Sequence, residues 1–337
     1  MLTNLFYTGI KKLVLILVIT ASLLLVRNII AEIFTLEEGK RLFDQEEYEQ
    51  AKEVLLKVVE KETENPEANF LLCKVFLNLD DHDKAIKYGE KAVELNGSVS
   101  NYHLWLGDAY GLQAQKGSKL KAVFRAKKYK GEYEKAILLD STNITARTAL
   151  MQYLLMAPGI AGGDKDKAKK QAEIIQDIDT LYGAIAWSYY WMNEKDTVRA
   201  ENFLRQAVRL DTTSNHTASY QLGFFLVGQE RYYEAADVFE KLYKEYPKET
   251  SALYQVGRSY VLAKDSLDKA ERYFKLYLQV KPTKNAPPLA AAHWRLGMVY
   301  DLQGKKDLAL VELEEAVRLD PKNKEYNKTL EEVKKQK

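Results

Sequence analysis

The sequence has 337 residues, 46% hydrophobic and 29% charged, a balance that excludes a disordered chain and a polytopic membrane protein. Fifty Lys and Arg against 48 Asp and Glu leave a net charge of +2, so no global charge drives binding to nucleic acid. With 17 glycines and 7 prolines, breakers are scarcer than the about 12% of average usage, which favours helix, and the lone Cys73 excludes an intramolecular disulfide and a cysteine-based zinc site.

The chain opens with an apolar run. Lys11 and Lys12 precede Leu13 to Val26, which carries no charge, and Arg27 follows. The run falls short of the about 20 residues needed to span a bilayer as a helix and suits the core of an export signal. Residues 1–31 therefore read as a signal peptide cleaved after Ala31 or as a retained N-terminal anchor. Either way the bulk of the chain is expected outside the cytoplasm, in the periplasm or cell envelope.

From Thr35 the apolar residues follow the helical period, and helices recur in pairs. Val58, Ala92, Ala136, Ile175, Ala207, Leu242, Tyr277 and Ala316 close the second helix of successive copies. Seven residues upstream stand Ala51, Ala85, Ala168, Ala200, Ala235, Ala270 and Ala309, with Tyr129 in the third copy. A third series, Gly39, Cys73, Gly107, Ser188, Gly223, Gly257 and Gly297, marks the first helix. Small residues there let neighbouring helix axes approach to about 8 Å. Copy four departs with Met151 at the glycine position, and irregular packing is expected there.

These residues resemble the tetratricopeptide repeat, with its glycine and tyrosine in the first helix and A-x3-F in the second. Leu222, Gly223, Ala235, Phe239 and Pro247 carry the pattern best, followed by Leu296, Gly297, Tyr300, Ala309, Ala316 and Pro321. The resemblance implies an all-α, right-handed α-solenoid of about eight helix pairs over residues 32–321, without β-sheet. Residues 322–337 form an amphipathic capping helix over the last repeat.

Two copies carry extra residues. The third is ten residues too long around Lys116 to Lys130, a stretch with seven positive charges before Glu132. Lys121, Arg125, Lys127 and Lys128 form a basic patch that would dock on anionic lipid or an acidic protein; the plainer reading is a solvated helix face. In the fourth, Ala157 to Asp164 (APGIAGGD) resembles loops of exported bacterial tetratricopeptide proteins. Asp164 reads as the cap of the helix that follows. Neither a phosphate-loop motif nor a preceding strand accompanies its glycines, so no nucleotide site is expected.

His82, His103, His216 and His293 are scattered without metal-binding spacing, and no G-x-S-x-G occurs. Neither metal, cofactor nor catalysis is expected. His103 and His293 read as packing residues, and Cys73 as buried and inert.

The resemblance further implies that the first helix of each copy lines a concave groove. Its offsets select Tyr182, Ile185, Tyr189 and Met192 in copy five, and Tyr220, Phe224 and Val227 in copy six. Tyr254, Arg258 and Val261 follow in copy seven, then Trp294, Met298 and Asp301 in copy eight. A largely uncharged aromatic stripe suits an apolar or amphipathic protein segment, and disfavours the Lys/Asn clamp of chaperone-tail binders. The alternative is that the chain's own tail covers part of the stripe as core. The expected function is an exported, non-catalytic adaptor binding a protein or peptide partner. Alternatives are a membrane-attached organising protein using the basic helix, and a transport accessory for a small ligand, which would need convergent polar groups in the groove, where only Arg258 and Asp301 stand out.

Overall fold

The computed structural model describes residues 34–115, 119–280 and 286–336, with side-chain detail interrupted from Gln115 to Arg125. The expectations for residues 1–31, and for the side chains of Lys121 and Arg125, lie outside the described residues. All regular structure described is helical, and no strand occurs among those residues.

The chain divides after Ile178 into two compact units. The first holds four helix pairs: α1 (Leu36–Asp44) with α2 (Tyr48–Lys61), α3 (Pro66–Asn78) with α4 (His82–Leu95), α5 (Ser100–Gln115) with α6 (Lys119–Leu139), and α7 (Ile144–Met156) with α8 (Lys165–Ile178). The second holds α9 (Thr180–Asn193) with α10 (Thr197–Leu210), α11 (Thr217–Gly228) with α12 (Tyr232–Glu245), α13 (Thr250–Ala263) with α14 (Leu267–Gln279), and α15 (Leu289–Leu302) with α16 (Lys306–Leu319). A single helix, α17 (Lys324–Lys335), follows. The eight expected pairs and the capping helix are thus all present among the described residues.

Local chemistry starts these helices where the sequence provides a cap. The Thr35 hydroxyl accepts from the Glu38 amide at 3.1 Å, Asn65 from Ala68 at 2.9 Å ahead of Pro66, and Asp196 from Arg199 at 2.9 Å. Between the helices of six pairs the chain turns through a left-handed residue: Glu46, Asp80, Lys195, Glu230, Lys264 and Gly304, with φ between 53° and 72°. The next amide donates back to the carbonyl five residues earlier, as Asp81 does to Phe76 at 2.9 Å and Arg231 to Leu226 at 2.9 Å. The last turn of the first helix is thereby closed.

Size complementarity holds each pair together. A Cβ built on Gly223 would stand 2.2 Å from the Phe239 ring, one on Gly257 2.9 Å from Phe274, and one on Gly297 2.7 Å from Leu313. Phe239, Phe274 and Leu313 are fully buried. In copy two the sizes are exchanged: Cys73 stands on the first helix and Gly89 on the second, its added Cβ 3.1 Å from the Cys73 sulfur. In copy four a fully buried Met151 stands on the first helix and a fully buried Ala172 on the second.

The long loop of copy four is a folded turn. Residues Gly159–Ala161 make a 3-10 turn, Gly162 has φ +92°, and Gly163 donates to the Pro158 carbonyl at 3.1 Å. The Tyr153 hydroxyl donates to the Ala161 carbonyl, and Asp164 caps α8 by accepting from the Lys167 amide at 3.0 Å. An added Cβ on Gly163 would fall 1.8 Å from the Ala157 carbonyl oxygen, whereas one on Gly159 meets nothing. Gly163→Ala is expected to destabilise the first unit by about 2 kcal/mol, and Gly159→Ala to leave it near wild type. Parallel urea melts of the two variants check this; equal midpoints would show that the loop relaxes freely.

Candidate functional site

The first helices of the second unit, α9, α11, α13 and α15, carry the expected stripe, and the structure sorts its residues by neighbour. Tyr182 and Phe224 are 42% and 44% exposed. Tyr189, Met192, Tyr220, Arg258 and Met298 are half-buried, as are Val227 and Asp301, whereas Ile185 and Val261 are buried. Tyr220 and Phe224, one turn apart on α11, stand 6.2 Å ring to ring and lie 6.0 and 5.7 Å from Phe239. The ring that fills the space over Gly223 also supports both surface aromatics. The Tyr189 hydroxyl accepts from Gln221 at 3.2 Å, tying α9 to α11, and the Tyr220 hydroxyl donates to Glu249 at 3.1 Å. Burial pushes the phenols of Tyr189 and Tyr220 above their ordinary range, so both hydroxyls stay protonated.

Two aromatic residues expected in the groove are core, like Ile185 and Val261. Tyr254 is 7% exposed, its ring 5.6 Å from both Phe274 and Tyr277 of α14. Trp294 is also 7% exposed, covered by Tyr326 of α17 at 5.3 Å, and its indole N–H donates to Thr329 at 3.0 Å. The capping helix covers the stripe in copy eight, which leaves Tyr182 and Phe224 of copies five and six as its exposed aromatics.

Sequence reasoning missed two features of this unit. Trp187 and Trp191 of α9 stack at 6.3 Å, with Phe203 of α10 5.9 Å from Trp187 and the Arg199 guanidinium 4.2 Å over Trp191. Their helical spacing, four residues apart, was the available signal. Arg295 of α15 adjoins Arg258, and its guanidinium lies 4.3 Å over the Trp294 ring. Burial, then Arg295, pulls the Arg258 guanidinium below its ordinary range.

In the first unit, Lys127 and Lys128 of the basic patch are exposed on α6. Lys128 lies 3.8 Å from Glu90 and 4.8 Å over the Tyr110 ring, and neighbouring Lys130 lies 3.4 Å from Glu134. The chain's own acids thus partly neutralise the described end of this helix. Cys73 is buried with its thiol pushed up to about 12, chiefly by desolvation, and so is inert at neutral pH. His103 lies 2.7 Å from Glu132 and 3.1 Å from the Gly97 carbonyl, and His293 lies 2.6 Å from Glu312. These two imidazoles join the helices of their own pairs. Among the described residues no group of three or more His, Cys, Asp or Glu converges as a metal site, and no helix is long and apolar enough to cross a membrane.

Family models described as tetratricopeptide repeat match residues 36–100, 217–249 and 290–323. No curated protein matches the sequence. Among solved structures, IFIT1, as a monomeric mutant with m7Gppp-AAAA, is 15% identical with a TM-score of 0.50, covering 88% of this chain and 70% of its own. A thermophilic TPR protein from Thermus thermophilus is 13% identical with a TM-score of 0.49, covering 57% of this chain and 97% of its own. A tetratricopeptide repeat protein from Parabacteroides merdae is also 13% identical, with a TM-score of 0.45, and covers 83% and 98%. At these identities the likeness is one of fold.

Proposed function

Because the chain belongs to the tetratricopeptide-repeat family, we propose that it is a non-catalytic scaffold whose second unit binds a protein or peptide segment on the face of α9 and α11. The observation that carries this is the exposure of Tyr182 and Phe224 beside the half-buried Tyr189, Met192 and Tyr220. Large rings seated on a rigid core are the residue type that dominates interface hot spots, because they desolvate much apolar area at small entropic cost. A segment with apolar side chains at helical or extended spacing suits that surface. The apolar run Leu13 to Val26 behind Lys11 and Lys12 supports a location outside the cytoplasm, in the cell envelope. Cell fractionation with mass determination of the mature chain tests the location and separates cleavage after Ala31 from a retained anchor.

The binding reading is tested by capturing partners from the native cell envelope with the full chain and identifying them by mass spectrometry. Tyr182→Ala with Phe224→Ala is expected to abolish capture, since hot-spot aromatics cost about 2 kcal/mol each and together about a thousandfold in affinity if they add. Circular dichroism is expected to stay unchanged, because neither side chain is buried in the core. Undiminished capture by the double variant would place the interaction elsewhere.

A further inference from the structure

Two half-buried guanidinium groups of the second unit have no carboxylate partner among the described residues. Arg258 on α13 and Arg295 on α15 are both half-buried, on helices that pack against one another. Arg258 has the Gln255 side-chain oxygen at 3.4 Å, and Arg295 has the Met298 sulfur at 3.8 Å. The Arg295 Nε is shut off from solvent without a partner. Among the described residues no carboxylate pairs with either guanidinium. Elsewhere in the unit the chain neutralises such groups, as where Arg205 and Arg231 share Glu201 and Glu234.

A guanidinium offers five N–H donors in a planar fork matched to a carboxylate, and leaving two forks unpaired at partial burial costs stability. An anion from outside the chain would relieve that cost. We infer that Arg258 and Arg295 receive the carboxylate of an aspartate or glutamate side chain carried by the bound segment. The inference rests on the peptide-binding reading of this unit and adds the chemistry of its partner. The surroundings favour a carboxylate set among apolar residues: the Trp294 ring lies beneath Arg295, and the Met298 thioether adjoins it. An anion drawn onto such a floor exchanges water for charge-assisted hydrogen bonds, the strong class of such bonds.

The experiment selects binders from a phage-displayed library of random dodecapeptides on the full chain, then measures one enriched peptide in synthetic form. The expected peptides carry an acid between aromatic or aliphatic residues. Replacing that acid by its amide should weaken binding to the wild type at least tenfold, and should leave binding to Arg258→Met/Arg295→Met unchanged. Methionine keeps the apolar stem, and Arg258→Met should melt no lower than wild type because a repulsion is removed. An amide peptide that binds the wild type as well as the acid peptide overturns the inference while the peptide-binding reading stands. A phosphoserine peptide that binds over tenfold tighter than the acid peptide overturns the carboxylate in favour of phosphate. If no peptide is enriched, or binding survives Tyr182→Ala/Phe224→Ala, the binding reading falls and the inference with it.

Discussion

A chain ending at Asp320 is expected to lose the order of α15 and α16, although no residue of either helix is changed. Tyr326, Leu330 and Val333 line one face of α17 and are 7%, 6% and 2% exposed. Burying side chains of this size contributes about 1.5–3 kcal/mol each, so removing the three withdraws about 5 kcal/mol and uncovers apolar surface on the last pair. Trp294 also loses the Tyr326 ring and the Thr329 acceptor of its indole N–H. Its fluorescence should shift to the red, with Trp294→Phe isolating the signal from the other tryptophans, and amide exchange in α15 and α16 should quicken. A truncated chain with the melting point and emission of the intact one would show that α17 is a passenger.

Gly223→Leu should be the most damaging overpacking substitution in the second unit. The branch would enter the space of a fully buried Phe239, whose ring atoms stand 2.2–2.8 Å from an added Cβ. Overpacking costs about 1–3 kcal/mol and more where both helices are fixed, so about 3 kcal/mol is expected. Phe239→Ala alone should cost about 3–5 kcal/mol through the cavity it leaves. The informative variant combines the two. Copies two and four already run with the larger residue on the first helix, at Cys73 and Met151, and the smaller on the second, at Gly89 and Ala172. The double variant should therefore regain at least about 1 kcal/mol over the sum of the single losses, as contacting positions do. Urea melts giving strictly additive losses would show that the two positions are not a packing unit.

Periodicity made the helix pairs legible because it records which face of each helix must be covered. The three series of small or apolar residues placed the eight pairs and the closing residues, and the amphipathic tail placed α17. The groove was less legible, since an offset within a copy fixes a direction and not what lies there. Tyr220 and Tyr254 share an offset, yet Tyr254 is buried against Phe274 and Tyr277, and Tyr277 stands where copy six has the smaller Leu242. Trp294 is buried because a helix outside the repeat pattern lies over it. Arg295 was missed because its significance is the absence of an acid across the helix boundary, which no spacing encodes. The left-handed turns were hidden too: five of six carry Glu, Asp or Lys where glycine would have advertised them.

Those five turn residues also bear on how the sequence can change over time. A residue with a Cβ in the left-handed region costs about 1 kcal/mol relative to glycine, so Glu46, Asp80, Lys195, Glu230 and Lys264 together forgo about 5 kcal/mol. That is on the scale of a whole domain's net stability of about 5–15 kcal/mol. Selection retains chains above a threshold and does not drive them to an optimum. The repeat thus holds an evolutionary reserve at its tightest corners, where single steps to glycine could offset a harmful change in the core or a gain of function on the binding face without moving a helix.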